Sequence, residues 1–309
     1  MSRKTVLHRA CSQLCRSGAI GVTVAGIIGA TALTARPAHA DIRPQPDPTG
    51  SVLDGRLTGP NDSGAYFVDA PYTAAAASRA VGQLVWDYLC TGSVINSNKR
   101  TLVITAAHCI GTNAGGGYEI SPEFRAALAQ GRVEFTPAFD GRKTPEDRPF
   151  GTWNVADAWV LPASNADVAI LEVEPNGRGQ LIQDAVGGGF DIHAPIAAGE
   201  RVRATLVGYP APEPFLSIAQ SACVGDYTLY PGGGNSSIRR VAEQQECWVG
   251  GGSSGGPYIS APATVGGSPQ VLTVLNSNGG ADVPSVAGEL LALADIPAVE
   301  APAIPGLGS

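Results

Sequence analysis

Short apolar runs rich in β-branched residues recur along this chain, separated by turns of glycine and polar residues. Runs of this length and composition are typical of β-strands, whereas helical periodicity is limited to two short stretches, 123–129 and 288–294. Together with 40 glycines and 24 prolines, the pattern predicts an all-β fold of the sandwich or barrel type. The predicted strands are residues 81–86, 91–95, 102–105, 132–135, 153–159, 168–173, 201–208, 227–230, 246–249, 257–260 and 271–275.

The first 40 residues have the pattern of a secretory signal peptide. Four basic and no acidic residues precede an apolar run over residues 19–35, and Ala-His-Ala at residues 38–40 is a small-residue cleavage site. An uncleaved membrane anchor is the alternative, but the run is short and contains three glycines. We therefore predict cleavage after Ala40 and secretion of the remaining 269 residues of the 309.

Removal of this segment makes an acidic chain more acidic. The whole chain carries a formal net charge of −7, and the loss of five basic residues with the segment takes it to −12. Binding to phosphate or to anionic lipid needs a basic surface. We therefore expect neither nucleic acid nor, once the signal peptide is cleaved, a membrane as a partner.

Four cysteines remain after cleavage: Cys90, Cys109, Cys223 and Cys247. An even number in an exported chain favours disulfides, for which three connectivities exist. Pairing of sequence neighbours would join Cys90 to Cys109 and Cys223 to Cys247. A zinc site is the competing interpretation, but the chain has no Cys-x-x-Cys pair and the mature part has only two histidines. We expect disulfides, no metal and no cofactor.

Three short motifs supply the groups that acyl-transfer hydrolases need. In chain order they are Thr-Ala-Ala-His-Cys at residues 105–109, Asn-Ala-Asp-Val-Ala-Ile-Leu at 165–171, and Gly-Gly-Ser-Ser-Gly-Gly-Pro at 251–257. A serine hydroxyl is a weak nucleophile, so an imidazole must take its proton and a carboxylate must hold that imidazole in one tautomer. The sequence therefore offers a base, an orienting acid and a nucleophile.

Glycines flank the candidate nucleophile, Ser254. They would allow a tight turn in which the N–H groups of Gly252 and Ser254 point at the carbonyl oxygen under attack and form an oxyanion hole. A flexible glycine- and serine-rich linker is the alternative interpretation. Cys247 and Trp248 just upstream, and the strand-like run 257–260 just downstream, argue against a linker.

The order of the residues narrows the class of hydrolase. Residues 252–256 also fit Gly-x-Ser-x-Gly, the nucleophile elbow of α/β-hydrolases, whose histidine follows the serine. No histidine follows Ser254, which excludes that class. The subtilisin order could use Asp167 and His193, but apolar residues that would pack around His193 are missing. We predict His108, at the end of an apolar strand, as the base.

Asp167 is the preferred carboxylate because it directly precedes the apolar run 168–171. A carboxylate at the mouth of a buried strand needs a hydrogen-bond donor, and an imidazole N–H is a suitable one. Asp157 is the competitor, but it lies between two alanines in a less apolar setting.

These motifs, with Cys-Thr-Gly at residues 90–92, resemble those of the trypsin-like (chymotrypsin-fold) serine proteases, and most closely those of their secreted bacterial branch. The resemblance covers residues 81–278. It implies two antiparallel six-stranded β-barrels with the active site in the cleft between them. It also implies that His108 is the general base, Asp167 its orienting partner and Ser254 the nucleophile.

The resemblance also implies that the Cys90–Cys109 disulfide braces the histidine loop. Together with the composition of the N-terminal part, it gives a predicted domain organisation. The predicted segments are a signal peptide (1–40), an N-terminal arm or propeptide rich in proline and glycine (41–75), a first β-barrel carrying His108 and Asp167 (76–185), and a second β-barrel carrying Ser254 with a C-terminal tail (186–309).

The chain departs from the animal members of this family at several positions. Ser253 stands where those proteins have the aspartate that captures a new N-terminus on activation, so activation by that ion pair is not expected. Trp248 stands, by ungapped counting, where trypsin has the aspartate that binds basic side chains. No histidine lies in 271–276, where glutamate-specific relatives use one. These differences favour a specificity for uncharged or apolar substrate side chains. Residues 281–309 also lack the clear final amphipathic helix of the animal members.

The sequence thus predicts a secreted, monomeric serine endopeptidase that cleaves protein or peptide substrates through an acyl-enzyme on Ser254. Two alternatives stay open. A catalytically silent binding or adhesion module would keep the fold, although such proteins usually lose a triad member and this chain retains all three. An esterase-like hydrolase would use the same triad on non-peptide esters, and only substrate profiling separates it from a protease.

Overall fold

The structure is a computed structural model in which the described residues lie between 55 and 296. They are 55–57, 65–68, 70–113, 115–143, 145–212, 215–230, 237–241, 250–277 and 279–296. The predicted signal peptide, Cys247 and Trp248 fall outside them. None of the helices in these stretches has the length and apolar character required to cross a membrane.

The described residues form seventeen strands, four α-helices and one short 3₁₀ helix. The first strands are β1 (Gly55–Leu57), β2 (Tyr66–Val68), β3 (Val81–Val85), β4 (Leu89–Val94), β5 (Leu102–Thr105), β6 (Gly111–Asn113), β7 (Tyr118–Ile120), β8 (Glu134–Pro137), β9 (Trp153–Trp159) and β10 (Ala169–Val173). The later strands are β11 (Asp191–Ile192), β12 (Arg201–Gly208), β13 (Ser221–Tyr230), β14 (Ser237–Arg240), β15 (Pro257–Ser260), β16 (Gln270–Asn276) and β17 (Gly279–Gly280). The helices are α1 (Ala76–Ala80), α2 (Pro122–Ala129), α3 (Ile182–Ala185), α4 (Val283–Ala294) and the 3₁₀ helix Ala107–Cys109.

Six of these strands close into an antiparallel barrel in the order β10-β5-β4-β3-β8-β9. All four residues of β5 are buried, as expected for a short β-branched strand inside a barrel wall. Its register places Thr105 opposite Ala169 of β10. Because the two strands are antiparallel, the residues just after β5 and just before β10 meet at the same end of the barrel. That end carries His108 and Asp167.

The remaining long strands form a nine-stranded sheet with the main order β1-β2-β13-β12-β15-β16-β11, to which β14 and β17 attach. The expected all-β class is therefore confirmed, and the first predicted barrel is a closed one. The second predicted barrel is not confirmed, because the sheet is open among the described residues. The segment 242–249, between β14 and β15, lies outside them.

The N-terminal segment takes part in this sheet. β2 pairs with β13, Phe67 lying opposite Ser221. The sequence predicts an arm or propeptide over 41–75, with exposure expected over 41–63. In the rest of that segment, Val68 and Tyr72 are each only 2 % exposed. The Tyr72 hydroxyl accepts a hydrogen bond of 2.9 Å from the backbone N–H of Gln220. Removal of this segment during maturation stays a prediction.

Helix α4 is the last element of the described residues. It begins at Val283, whereas the sequence predicts a helix only over residues 288–294. Its buried residues include Val283, Val286, Leu290 and Ala294, which are spaced for one helical face. The apolar face is hard to recognise in sequence, because small residues and a proline in the first turn dilute it. The helix packs on β9 and β10 of the barrel and on β16 of the sheet.

Candidate active site

His108 lies in the 3₁₀ turn that follows the buried strand β5. A disulfide joins the next residue, Cys109, to Cys90 on β4, so the predicted pairing of these two cysteines is confirmed. The indole N–H of Trp86 also donates a 3.0 Å hydrogen bond to the Cys109 carbonyl. Cys223 is disulfide-bonded as well, and its predicted partner, Cys247, lies outside the described residues.

Both carboxylate oxygens of Asp167 accept hydrogen bonds from His108. Oδ1 accepts the backbone N–H of His108 at 2.8 Å, and Oδ2 accepts the ring Nδ1–H at 2.7 Å. The side chain of Asp167 is 7 % exposed and that of His108 is 36 % exposed. The aspartate is therefore buried beneath an accessible imidazole. Since Nδ1 carries the proton of this bond, Nε2 is left free to accept one.

The competing residues lie elsewhere. The Asp157 carboxylate accepts the N–H of the next residue, Ala158, at 2.8 Å, and the residue is exposed on β9. A ring nitrogen of His193 is bonded to the carbonyl of Ala194 at 2.6 Å. Neither residue lines the cavity that holds His108.

The serine loop is bonded to the barrel by Thr91, a residue of β4 in the Cys-Thr-Gly motif for which the sequence predicts no role. Its backbone N–H donates to the Ser254 carbonyl at 2.7 Å, and its hydroxyl donates to the Gly252 carbonyl at 2.8 Å. The Thr91 carbonyl in turn accepts the Thr105 hydroxyl at 2.8 Å. One buried threonine thus connects the strand before His108 to the loop that carries Ser254.

Gly255 is required by the loop for two reasons. Its φ of +79° is in the left-handed region, where side chains are disfavoured. A Cβ atom at this position would also overlap the Thr105 hydroxyl and the Thr91 carbonyl oxygen. The glycine therefore allows the serine loop to approach the histidine side of the site closely.

Some N–H groups of the loop are bonded within the protein, and others are available to an incoming oxygen. The N–H groups of Ser253, Gly255 and Gly256 donate to backbone carbonyls at 2.8 to 3.2 Å. Within the described stretches, no acceptor is bonded to the N–H of Gly252 or Ser254, the two groups predicted to form the oxyanion hole.

A cavity of about 400 Å³ brings the predicted residues together. His108, Asp167 and Ser254 all line it, with Tyr118, Leu275 and Asn276. The Ser254 hydroxyl and the His108 ring are not hydrogen-bonded to each other, and such contacts commonly tighten only in the substrate complex. The cavity places an oriented imidazole and a serine hydroxyl beside one space that can hold a substrate carbonyl.

A second, polar cavity of about 240 Å³ adjoins the first and shares Tyr118, Asp167, Asn276 and Ser277 with it. Arg239 of β14 lines this second cavity. Sequence reasoning missed Tyr118, because no local pattern marks a residue that reaches the site only through the tertiary fold.

The described residues include one group of histidine and cysteine atoms close enough to hold a metal ion. It consists of Cys90, His108 and Cys109, whose ligand atoms lie within 4.8 Å of one another. Both sulfurs are joined in the disulfide, so they cannot act as thiolate ligands. The group therefore does not fit a metal centre.

Comparison with protein families matches residues 90–266, more than half of the chain, to the trypsin-like peptidase domain. The matched region contains His108, Asp167 and Ser254. This chain belongs to the trypsin-like serine protease family. Membership implies protein or peptide substrates. No curated protein sequence matches the chain.

Solved structures share the fold at low sequence identity. One is a thermostable serine protease, AL20, from an extremophilic microorganism, with 23 % identity, a TM-score of 0.51, and coverage of 71 % of this chain and 98 % of that one. Another is a Glu endopeptidase, with 17 % identity, a TM-score of 0.52, and coverage of 76 % of this chain and 98 % of that one. At these identities the similarity extends to the fold alone.

Proposed function

We propose that this chain is a secreted serine endopeptidase that cleaves peptide bonds through an acyl-enzyme on Ser254. The observation that carries the proposal is the pair of hydrogen bonds from His108 to the buried Asp167, beside a cavity that these residues share with Ser254. The His, Asp, Ser order along the chain and the membership in a protease family add to it.

In the proposed reaction, the Ser254 hydroxyl attacks the scissile carbonyl carbon while Nε2 of His108 takes its proton. Asp167 keeps the ring in the tautomer that makes this transfer feasible and stabilises the imidazolium that forms. The N–H groups of Gly252 and Ser254 hold the oxyanion. His108 then gives the proton to the leaving amine, and a water molecule, activated by the same ring, releases the acyl group from Ser254.

The proposed specificity is for uncharged or apolar side chains next to the scissile bond. Among the described residues that line the cavity at Ser254 there is no lysine or arginine, and Leu275 contributes an apolar wall. An acidic substrate side chain would find no cation there to balance its charge.

Secretion is proposed on the sequence of residues 1–40 and on the presence of a disulfide in the barrel. Disulfides persist in oxidising compartments and are rare in the cytosol. Detection of the protein in the culture medium, with an N-terminus at Asp41 or beyond, would be the expected result. Retention of the intact N-terminus in the cell would contradict it.

The experiment that tests the catalytic proposal is labelling with a fluorophosphonate probe followed by peptide mapping. Label is expected on Ser254, and Ser254→Ala should lose both label and peptide cleavage by at least about 10⁴-fold. Ser253→Ala is the matched control. The hydroxyl of Ser253 is buried and has no hydrogen-bond partner among the described residues, so its removal should leave labelling intact.

The outcomes separate the alternatives. A folded protein that takes no label on Ser254 would overturn the enzyme proposal and favour a binding module. Label on Ser254 with hydrolysis of esters but of no peptide in a diverse library would favour the esterase alternative.

A further inference from the structure

A short N-terminal segment packs on the connection that leads from β12 to β13. The segment comprises residues 65–68 and 70–73 and is called the Tyr72 segment, and the described part of the connection comprises residues 209–212 and 215–220. The Val68 N–H donates to the Gln220 carbonyl at 3.0 Å, and the rings of Phe67 and Phe215 lie 4.6 Å apart between centroids. Backbone and ring contacts therefore join the Tyr72 segment to the connection.

Tyr72 is hydrogen-bonded to the connection inside the protein, and its partners there, Gln220 and Tyr209, are fully buried. The Tyr72 hydroxyl accepts the Gln220 backbone N–H at 2.9 Å, and the Gln220 side-chain amide donates to the Tyr209 hydroxyl at 3.0 Å. The Tyr209 hydroxyl donates in turn to the Phe139 carbonyl at 2.9 Å. Because Tyr209 is the first residue of the connection and Gln220 the last, these bonds link Tyr72 to both of its ends.

The first residues of the connection bond the serine loop directly. The Ala211 N–H donates to the Gly251 carbonyl at 2.6 Å. The Tyr209 N–H donates to the Thr91 hydroxyl at 3.0 Å, and that hydroxyl donates to the Gly252 carbonyl at 2.8 Å. Gly252 has a φ of +92°, and a Cβ atom there would overlap the Tyr209 carbonyl oxygen. The backbone that carries the predicted oxyanion donor of Gly252 therefore lies against the connection.

The connection contains a strained turn. Leu216 and Ser217 have φ values of +51° and +57°, which residues other than glycine rarely adopt without support from surrounding contacts. The Ser217 N–H donates to the Pro210 carbonyl at 2.8 Å, and the neighbouring Phe215 packs its ring on Phe67. Part of the support for this turn thus comes from the Tyr72 segment.

We propose that the Tyr72 segment stays in the active enzyme and that Tyr72 is a positioning residue, which holds the serine loop through Gln220 and Tyr209. The inference rests on the proposed function. Without the Tyr72 hydroxyl, the buried Gln220 N–H loses its acceptor, and an unpaired buried donor destabilises the arrangement around it. The strained connection then relaxes, and the Gly252 N–H moves away from the oxygen that it should bind. A maturation cleavage within 41–64 leaves this support intact.

The test is Tyr72→Phe in the full chain, which keeps the ring and removes the hydroxyl. Tyr72 does not line the cavity at Ser254, so we expect kcat for a peptide substrate to fall about tenfold with KM unchanged. A peptide aldehyde adds reversibly to the Ser254 hydroxyl and places its oxygen in the oxyanion hole. Its affinity should fall by the same factor, whereas the affinity of the corresponding peptide alcohol, which forms no adduct, should not change.

Phe67→Leu is a second variant with the same expectation, because it weakens the contact with Phe215 and keeps the Tyr72 hydroxyl. Val155→Ala is the matched control for stability. Val155 is buried on β9, a barrel strand that pairs with neither β2 nor β13. Its truncation should lower the melting temperature and leave the rate per active site unchanged. Rates are expressed per site titrated to completion with the fluorophosphonate probe.

A second measurement identifies the N-terminus of the active protein. Protein labelled on Ser254 is purified from the producing culture, and its N-terminus is determined by mass spectrometry. We expect every labelled species to contain Tyr72. A species that begins after Tyr72 and cleaves peptide at the full rate per site would overturn the proposal.

A lower kcat and a weaker affinity for the aldehyde in Tyr72→Phe and Phe67→Leu support the positioning role. If both quantities match those of Val155→Ala per titrated site, the role is wrong, even where the melting temperature falls. A wild-type protein that neither labels nor cleaves would instead overturn the proposed function, and this role with it.

Discussion

At the scale of single residues, the site depends on groups that hold backbone segments together as much as on the three predicted catalytic side chains. Thr91 is completely buried, and its hydroxyl both donates to Gly252 and accepts the N–H of Tyr209 at 3.0 Å. A hydroxyl side chain suits this position because it is small and can serve as donor and acceptor at once.

Thr91→Val should therefore lower the free energy of unfolding by about 1–3 kcal/mol, because it leaves a buried carbonyl and a buried N–H without partners. Thr205→Val is the control, since the Thr205 hydroxyl is buried but has no partner among the described residues and its loss should be neutral or stabilising. Urea denaturation of both variants measures the difference. Equal effects would contradict the role given to Thr91.

Gly255→Ala should destabilise the protein by about 1–3 kcal/mol and abolish most activity, because the new Cβ atom overlaps Thr91 and Thr105 at a positive φ. Gly251→Ala is the stability control in the same loop, because no atom lies within 4 Å of its added Cβ. Its unfolding free energy should change by less than about 0.5 kcal/mol. Thermal melts report the change in stability, and probe labelling reports the change in activity. An active and stable Gly255→Ala variant would contradict the close approach of the serine loop to Thr91 and Thr105.

At the scale of elements, two connections join segments that are separate in the sequence, and one of them holds the histidine turn. The disulfide ties β4 to the histidine turn across 19 residues, and β2 joins the N-terminal segment to β13. Tyr72 extends the second connection, because its hydroxyl also accepts a 2.8 Å hydrogen bond from Arg142. Arg142 is in turn paired with the buried Asp140.

Replacement of Cys90 and Cys109 together by alanine should lower the free energy of unfolding by about 3 kcal/mol, as expected for a loop of this length. The His108 turn should loosen with it, so peptide cleavage should fall further than the loss of folded protein explains. Denaturation curves measure the loss of stability, and the cleavage rate per titrated active site measures the loss of activity. A double variant as stable and as active as wild type would show that the strands alone hold the turn.

At the scale of the whole molecule, buried tyrosines make the fold sensitive to alkali. Burial raises the pKa of Tyr72 and of Tyr209 well above the usual value of 10.0. These phenols are protonated in the folded state at pH values where they ionise in the unfolded chain. Their contribution to stability is therefore complete below pH 10 and is lost as the pH rises through the folded pKa.

Unfolding free energy should thus decline above about pH 10, by up to about 1.4 kcal/mol per pH unit for each fully buried tyrosine. Tyr72→Phe should make this decline shallower, whereas Tyr88→Phe, at an exposed position, should leave it unchanged. Urea denaturation between pH 8 and roughly pH 12 provides the measurement. A stability that is flat over this range would contradict the burial of these phenols.

Much of this architecture was accessible from the order of residues. Strands β5, β9, β12 and β15 have the predicted bounds, because their β-branched runs are local and end at clear turns. The pairing of Cys90 with Cys109 followed from a family resemblance. In contrast, the proline- and glycine-rich composition of the N-terminal segment does not reveal that β2 pairs with β13.

By itself, the sequence determined the family and the all-β class, and it predicted a base, an acid and a nucleophile, because these follow from local motifs and their order. Only the tertiary structure decided what surrounds them. The antiparallel register of β5 and β10 brings Asp167 to His108, and Thr91 bonds the serine loop. The β6–β7 hairpin delivers Tyr118. Such contacts join residues that are far apart in the chain. They arise from packing and hydrogen bonding between elements, and these interactions produce no local sequence pattern.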